Sequence, residues 1–168
     1  VNNIAIALGV EPGSNNLEGL RYGKVCILAD ADSDGLHIAT LLCALFLKHF
    51  RPLVEDGRVY VSMPPLYRID QGKDVHYALD DPEKDKLVED LQKKNKRTKI
   101  EVQRFKGLGE MNASQLRETT MLPGARRLVQ LTIQNGDKSS QMVDMLLSKK
   151  RSQDRKEWLE DKGNLANV

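Results

Sequence analysis

Apolar and polar positions along the chain follow patterns that predict an α/β fold. The apolar run from Lys24 to Ala29 predicts a strand that is buried on both faces, as in a parallel sheet. The segment from Leu36 to Phe50 is apolar nearly all round, which predicts a buried helix. Val59 to Met63 predicts a second strand, which Pro64-Pro65 prevents from simply continuing. The order strand, helix, strand predicts a βαβ unit in an α/β sheet.

A different pattern follows the second strand and predicts a hairpin excursion. The residues from Tyr67 to Leu79 alternate in polarity around Gln71-Gly72-Lys73, which is typical of two strands joined by a tight turn. Asp81 and Pro82 then predict the start of a polar helix, with Asp81 as its N-cap. A further strand is predicted from Ile100 to Phe105.

The two ends of the chain are predicted to be mainly helical. A first helix is predicted to end at Gly9, because glycine is a favourable C-terminal cap. Asn112 and Gln115 have the spacing of a capping box for a short helix. Arg127 to Ile133 predicts a last strand, and the chain from Ser139 onward is predicted to be helical and charged. Since the first helix is already under way at the first residues, we expect the chain to be a piece of a longer protein.

The composition is that of an ordinary globular protein. Apolar residues make up 40% and charged residues 30% of the 168 residues, which excludes a disordered chain and allows a core without disulfides. Aromatic residues are only 5%, which argues against a large base-stacking surface. Cys26 and Cys43 form no C-x-x-C pair, so a zinc ribbon or a thioredoxin-type site is excluded. The longest apolar stretch, Leu41 to Leu47, is far shorter than the ~18 residues of a membrane span.

Charge is segregated along the chain although the net charge is only +2. Basic residues concentrate between Lys93 and Lys106 and again between Lys149 and Lys156, whereas the segment from Asp80 to Asp90 is acidic. Each cluster has two open interpretations, a solvated surface or a contact with a partner. Their position relative to the candidate chemistry has to decide between the two.

Three carboxylates directly follow the first predicted strand, at Asp30, Asp32 and Asp34. Ligand sites of open α/β sheets lie at the carboxyl ends of strands. Two carboxylates ~4 Å apart repel each other by about 4 kcal/mol at an effective dielectric constant near 20. A bound cation offsets such repulsion, and hard oxygen ligands select Mg²⁺, Mn²⁺ or Ca²⁺.

Four interpretations of this acidic loop compete. In the first, Asp34 simply caps the next helix. The second, an EF-hand calcium loop, fails because its twelfth position is Leu41 and a strand precedes the loop. The third, a phosphatase of the haloacid-dehalogenase type, fits poorly because Asp34 stands where that motif has Thr or Val. The fourth is a metal site that serves phosphodiester chemistry.

A glycine-containing loop, Lys106-Gly107-Leu108-Gly109-Glu110, follows the strand predicted at Ile100. It is neither a P-loop nor a dinucleotide-binding fingerprint, because the glycine spacing differs from both. One interpretation is a tight turn from strand to helix. The other is a backbone that approaches a phosphate closely, with Lys106 as a point charge.

Three motifs together make the chain resemble the TOPRIM region of bacterial type IIA DNA topoisomerase B subunits. They are D-A-D-S-D-G-L-H-I at 30–38, P-P-L-Y at 64–67 and Q-R-F-K-G-L-G-E-M at 103–111. Within that family, the wording of the first motif, the short path from Tyr67 to Gln103 and the tail from Lys149 resemble the B subunit of topoisomerase IV most. The B subunit of gyrase is the second choice.

The resemblance implies roles for particular residues. Asp30 and Asp32 would bind Mg²⁺, with Mn²⁺ or Ca²⁺ as substitutes, and Asp34 would support the site, in part through water. Contacts with the DNA backbone would come from His37, Lys106, Gly107 and Gly109. Contacts with the partner subunit or with DNA would come from Lys149, Lys150 and Arg151. A local hydrogen bond for His37 and a solvated helix face for the last three residues remain open alternatives.

The resemblance also implies a fold and an activity. The fold is a TOPRIM-type, Rossmann-like parallel sheet flanked by helices. It would span residues 1–120, with the hairpin excursion at about 67–99, and residues 121–168 would form a strand and a helical tail. The activity is cleavage and religation of double-stranded DNA by an ATP-dependent type II topoisomerase in the bacterial cytoplasm, associated with the nucleoid.

Several parts of that machinery would lie outside this chain. The partner would be the A subunit of topoisomerase IV, which supplies the attacking tyrosine in an A₂B₂ heterotetramer. ATP would bind to another domain, and the acid/base glutamate of an E-G-D-S-A segment would precede Val1. The isolated chain is therefore expected to bind divalent metal weakly and to cleave no DNA. The competing hypotheses are a phosphatase-like hydrolase and a non-catalytic adaptor.

Overall fold

A computed structural model describes residues 1–95, 98–133 and 138–165, and it has the predicted α/β architecture. One sheet has the strand order β1-β2-β6 and contains β1 (Val25–Ile27), β2 (Val59–Ser62) and β6 (Leu128–Gln130). β1 and β2 are parallel, with Val25 opposite Val59, so the predicted βαβ unit is confirmed. β6 runs antiparallel to β2, which makes this sheet mixed rather than purely parallel.

Three helices surround this sheet: α1 (Asn2–Leu8), α2 (Ser33–His49) and α3 (Arg51–Glu55). α1 ends at Gly9, as predicted, in the left-handed conformation with φ of 79°. The core between these helices and the sheet contains Leu53 and Val59, which are both fully buried. A continuous apolar core therefore supports the end of β1, from which the acidic loop emerges.

Helix α2 is not buried all round, and this prediction is wrong. Leu36, Ile38 and Leu41 keep 60%, 53% and 42% of their surface exposed, whereas Ala39 and Phe46 are buried. A helix that packs on one side of a sheet turns only one face toward the core. The apolar character of the other face is therefore not accounted for by packing within the described residues.

The second sheet has the strand order β4-β3-β5 and contains β3 (Tyr67–Gln71), β4 (Asp74–Ala78) and β5 (Ile100–Arg104). The predicted hairpin is confirmed, and Gly72 in its turn has a φ of 67° that favours glycine. Helix α4 (Asp81–Lys94) packs on this sheet through a small cluster of buried residues, namely Tyr67, Ile69, Ala78 and Leu91.

The start of α4 differs from the prediction by one residue. The N-cap is Asp80, whose side chain accepts a hydrogen bond of 2.9 Å from the Glu83 backbone N–H. The Glu83 carboxylate in turn accepts a hydrogen bond of 2.7 Å from the Leu79 N–H. The bond from the Glu83 N–H to the Asp80 side chain makes Asp80 rather than Asp81 the cap, while the Glu83 carboxylate holds the amide one residue before it.

The C-terminal part begins with α5 (Ala113–Leu116), whose predicted capping box between Asn112 and Gln115 is confirmed. A π-helical turn, Arg117–Met121, leads toward β6. The predicted helical tail consists of α6 (Ser139–Leu147) and α7 (Ser152–Lys162), with 3₁₀ turns at Lys149–Arg151 and Gly163–Leu165. The division between residues 1–120 and 121–168 stays a prediction, although β6 pairs with β2 in the first sheet.

Two further sequence predictions concern the basic cluster and a membrane span. Within the predicted basic cluster at 93–106, Lys96 and Arg97 lie outside those residues. Among the helices that the structure does describe, none is both long and apolar enough to span a bilayer.

Candidate functional site

The acidic loop connects the end of β1 to the start of α2. Asp32 is the N-cap of α2, and its Oδ1 accepts a hydrogen bond of 2.7 Å from the Gly35 N–H. The interpretation that Asp34 caps this helix is therefore wrong, because Asp34 already lies in the first helical turn. Asp30, Asp32 and Asp34 are all exposed. Carboxylates at this position are stabilised by the positive end of the helix dipole.

The glycine-containing loop lies directly against Asp30. Oδ1 of Asp30 accepts a hydrogen bond of 2.7 Å from the backbone N–H of Leu108, which is 78 residues further along the chain. Both ends of the loop are also held: the Lys106 N–H donates to Oε2 of Glu110 at 2.8 Å, and the Phe105 N–H donates to the Leu66 carbonyl oxygen at 2.8 Å. The fold thus brings together the three motifs on which the resemblance rests.

A narrow crevice marks the place where these motifs meet. It is lined by residues from the acidic loop, from the proline pair after β2 and from the glycine-containing loop, namely Ala31, Pro64, Pro65, Phe105, Gly107, Leu108 and Met111. Phe105 is fully buried there. The junction is therefore packed, while the carboxylates stand at its surface.

Two glycines contact Asp30, and the sequence patterns predicted neither contact. A Cβ added to Gly35 would lie 2.0 Å from the carbonyl oxygen of Asp30. A Cβ added to Gly107 would lie 2.8 Å from Cγ of Asp30 and 2.9 Å from each carboxylate oxygen. A signal for Gly35 exists, because glycine within a helix costs about 1 kcal/mol and needs a packing reason. The sequence contains no comparable signal for the Leu108 amide.

The donor set suits a hard divalent cation but is incomplete. Carboxylate oxygens are the ligands that Mg²⁺ prefers, and Asp30 and Asp32 each supply two. One oxygen of each carboxylate already accepts a backbone hydrogen bond. Across residues 1–95, 98–133 and 138–165, no group of three or more His, Cys, Asp or Glu side chains converges to hold a metal ion. The chain thus offers part of a coordination shell.

The residues predicted to contact DNA lie on or near this loop and on α2. His37 is exposed in the first turns of α2, and Lys106 is exposed two residues before Leu108. Gly109 is also exposed, and a Cβ there would meet no atom within 4 Å. Gly107 is only partly exposed, because the carboxylate of Asp30 faces it.

The predicted basic contact residues of the tail lie in the 3₁₀ turn between α6 and α7. Arg151 forms ion pairs with Asp154 and, at 3.0 Å, with Asp144; its hydrogen bond to Asp154 raises its pKa further. Lys149 and Lys150 are exposed. Lys149 lines a groove of about 740 Å³ between α2 and α6, toward the end of α2 that is remote from Asp32. The structure therefore does not bring this turn into contact with the acidic loop.

Comparison with known proteins places the chain among bacterial topoisomerases. It is 67% identical over 168 residues to the B subunit of DNA topoisomerase 4 from Pseudomonas aeruginosa, in a match that covers 100% of this chain and 27% of that protein. The chain belongs to the B-subunit family of bacterial type IIA DNA topoisomerases. It spans about a quarter of the length of the curated topoisomerase relatives that it matches.

Other relatives of this topoisomerase B-subunit chain agree. The B subunit of DNA gyrase from Thermotoga maritima is 44% identical over 161 residues, which cover 95% of this chain and 24% of that protein. A family model described as "DNA gyrase B subunit, carboxyl terminus" matches residues 97–160. The higher identity to the topoisomerase IV protein confirms the order predicted from the motifs.

A solved structure supports the fold. The DNA-binding, cleavage and re-ligation domain of Plasmodium falciparum topoisomerase II superposes with a TM-score of 0.68 at 24% sequence identity. The match covers 94% of this chain and 21% of that one.

Proposed function

We propose that this part of a topoisomerase B subunit supplies aspartates of the Mg²⁺ site at which double-stranded DNA is cleaved and rejoined. The observation that carries the proposal is the hydrogen bond between Asp30 and the Leu108 amide, because it joins the acidic loop to the glycine-containing loop. The identity of 67% to a topoisomerase IV protein favours topoisomerase IV over gyrase as the enzyme type.

Asp30 and Asp32 would hold the metal, with Asp30 shared between two metal positions and Asp34 in support. Mn²⁺ or Ca²⁺ would substitute for Mg²⁺ because all three cations prefer oxygen ligands. When bound, the metal neutralises negative charge on the attacking and leaving oxygens of the phosphodiester. The part of this chain is to fix the two carboxylates: Gly35 contacts the main chain of Asp30, and the Gly35 N–H orients Asp32.

DNA would pass beside the acidic loop. Lys106 would contact a phosphate as a point charge, and His37, Gly107 and Gly109 would lie near the same backbone. Lys149 and Lys150 would contact the A subunit or DNA. Arg151 would contribute less, because its guanidinium already pairs with Asp144 and Asp154.

The remaining components would come from outside these residues. The nucleophile would be a tyrosine of the A subunit of topoisomerase IV, with two copies of each protein in the complete enzyme. An upstream glutamate would act as acid and base, and ATP would bind to another domain of the B subunit. The enzyme would work in the cytoplasm, in association with the nucleoid.

The test is plasmid cleavage by the full-length B subunit together with the A subunit, titrated with Mg²⁺. Asp30→Ala is expected to reduce cleavage by at least ~100-fold, since even residues that only orient metal ligands contribute 10–100-fold. Asp34→Ala is expected to have a smaller effect. Asp90→Ala, an exposed aspartate on α4, is the matched control.

Two results would contradict the proposal. One is full cleavage activity of the assembled enzyme with Asp30→Ala. The other is robust nicking by the 168-residue chain alone, since the proposed nucleophile lies on another chain.

A further inference from the structure

We infer that Gly107 and the backbone N–H of Leu108 act as positioning groups for the carboxylate of Asp30. The N–H holds Oδ1 at 2.7 Å, and the missing side chain of Gly107 leaves the space that the carboxylate occupies. The inference rests on the proposed function in one respect, that Asp30 is a metal ligand. It assigns Gly107 a role different from an approach to DNA.

The backbone conformation of Gly107 does not require glycine. Its φ of −170° and ψ of 176° are extended values that any residue adopts. The requirement comes from the neighbour, because a Cβ would lie 2.8 Å from Cγ of Asp30. Carbon atoms in contact are normally about 3.5–4.0 Å apart. Alanine at this position would therefore push against the carboxylate or against its own loop.

Asp30 has little freedom to move away. Its carbonyl oxygen would lie only 2.0 Å from a Cβ on Gly35, so the Asp30 main chain is packed closely against the first turn of α2. Its side chain is short, and Oδ1 is fixed by the Leu108 amide. A displaced carboxylate would lose that hydrogen bond and change the direction in which its oxygens point.

The Leu108 amide is itself held in place. The loop is fixed before Gly107 by the bond from the Phe105 N–H to the Leu66 carbonyl oxygen. It is closed by the bond from the Lys106 N–H to the Glu110 carboxylate. Partners that orient a metal ligand from behind typically change metal affinity by about 10–100-fold when they are removed. The same size of effect is expected here.

Gly109 provides a matched comparison within the same loop. A Cβ there would meet nothing within 4 Å, and its φ does not lie in the region that favours glycine. Gly109→Ala therefore adds the same methyl group without touching Asp30. Gly23 is also open around its Cβ and precedes β1, whereas the acidic loop follows that strand, so Gly23→Ala controls for the substitution itself.

The experiment uses the full-length B subunit in complex with the A subunit on DNA. Binding of Mn²⁺ to the complex is measured by the loss of the free-ion electron paramagnetic resonance signal, and the Mg²⁺ concentration for half-maximal cleavage is measured in parallel. Gly107→Ala is expected to weaken Mn²⁺ binding and to raise the Mg²⁺ requirement by about 10–100-fold. Gly109→Ala is expected to weaken Mn²⁺ binding less than Gly107→Ala does, and Gly23→Ala is expected to match the parent enzyme in both measurements.

A second variant covers the case in which Gly107→Ala does not fold, as judged by its melting temperature. Glu110→Ala removes the bond to the Lys106 N–H without adding atoms near Asp30, and it is expected to weaken Mn²⁺ binding in the same direction. Parent-like Mn²⁺ binding by a folded Gly107→Ala, or by Glu110→Ala in its place, overturns the inference.

Asp30→Ala separates the positioning role from the proposed function. If Asp30→Ala weakens Mn²⁺ binding but Gly107→Ala does not, the positioning role is wrong and the proposed function stands. If Asp30→Ala itself leaves Mn²⁺ binding unchanged, the proposed function fails and the positioning role fails with it.

Discussion

The two sheets of the molecule are held together in different ways. Around the β1-β2-β6 sheet, the buried apolar residues form one large cluster, which includes Ala5, Leu8, Val10, Ile27, Ala39, Phe46, Phe50, Leu53, Val54 and Val59. Around the β4-β3-β5 sheet, the corresponding cluster has Tyr67, Ile69, Ala78 and Leu91. Burial of apolar surface is the main favourable term in folding, so the second sheet depends more on its polar bonds.

Those polar bonds attach α4 to the second sheet and to the rest of the molecule. The Tyr67 hydroxyl donates to Asp81 at 2.8 Å, and the Gln71 side chain donates to the Leu91 carbonyl oxygen at 3.2 Å. Glu83 forms an ion pair of 2.7 Å with Arg127, which directly precedes β6. Hydrogen bonds and ion pairs thus stabilise this region, whose apolar core is small. The stability of the region is therefore expected to depend on pH.

The largest expected effect tests whether the two sheets open separately. Leu53→Ala in the large cluster and Ile69→Ala in the small one are each expected to lower the free energy of unfolding by about 2–5 kcal/mol, because both side chains are fully buried. Hydrogen exchange should show loss of protection throughout for Leu53→Ala, but mainly in β3, β4, β5 and α4 for Ile69→Ala.

Ile6→Ala is the control for this pair, since Ile6 lies on α1 with 70% of its surface exposed. Its effect is expected to stay within about 0.5 kcal/mol. If Ile69→Ala removes protection equally from β1 and β2, the two sheets form one cooperative unit and the contrast between them does not hold.

A smaller effect is expected from the buried amide of Gln71. Its side chain donates to the carbonyl oxygens of Leu91 and Asn95 at the end of α4. Gln71→Leu is expected to lower the free energy of unfolding by about 1–3 kcal/mol, because the Leu91 carbonyl loses a buried donor. Urea denaturation measures the change, with Gln92→Leu on the exposed side of α4 as the control. Equal stability of both variants would show that the Gln71 amide does not stabilise this region.

The smallest effect concerns pH and the Glu83–Arg127 pair. The hydrogen bonds from Arg127 lower the pKa of Glu83 below its ordinary value of 4.5 in the folded state. The folded state therefore favours the charged carboxylate. The stabilisation is complete above pH 4.5 and is lost as the pH falls through the lowered pKa. Glu83→Gln should abolish this part of the acid dependence of the melting temperature.

Both side chains are partly exposed, with 34% for Glu83 and 51% for Arg127, so solvent screening keeps the effect small. Glu89→Gln is the matched control, since Glu89 pairs with Lys93 on the exposed side of the same helix. If the acid dependence of the melting temperature survived in Glu83→Gln but disappeared in Glu89→Gln, Glu83 would not be its source.

Local patterns predicted most of the elements. The β1 strand, the hairpin at Gly72 and the capping box at Asn112 follow from short-range preferences and are confirmed. The predicted cap Asp81, and the interpretation of Asp34 as a cap, both miss by one or two residues because neighbouring aspartates can cap equally well. The N-caps in the structure are Asp32 and Asp80. Asp80 is the cap of α4 because its side chain accepts a hydrogen bond from the backbone N–H of Glu83, three residues later.

Contacts between distant segments were beyond the sequence patterns. The apolar sequence of α2 predicted burial on every face of the helix. Leu36 and Ile38 are nevertheless exposed, because the pattern does not show which face packs against the sheet. The acidic and glycine-containing loops were both recognised as candidate sites. Their meeting at Asp30 involves a backbone N–H of Leu108, and a backbone group carries no residue-specific signal.

The bond between Asp30 and Leu108 also closes a loop of 78 residues that contains the whole β3–β4 hairpin and α4. The entropy of closing a flexible loop rises only with the logarithm of its length, so doubling this loop adds about 0.6 kcal/mol. Extra residues inserted at the Gln71-Gly72-Lys73 turn would therefore change the free energy of forming the Asp30–Leu108 contact only by this small entropy term. A longer excursion is therefore expected to leave the geometry of the junction at its base unchanged.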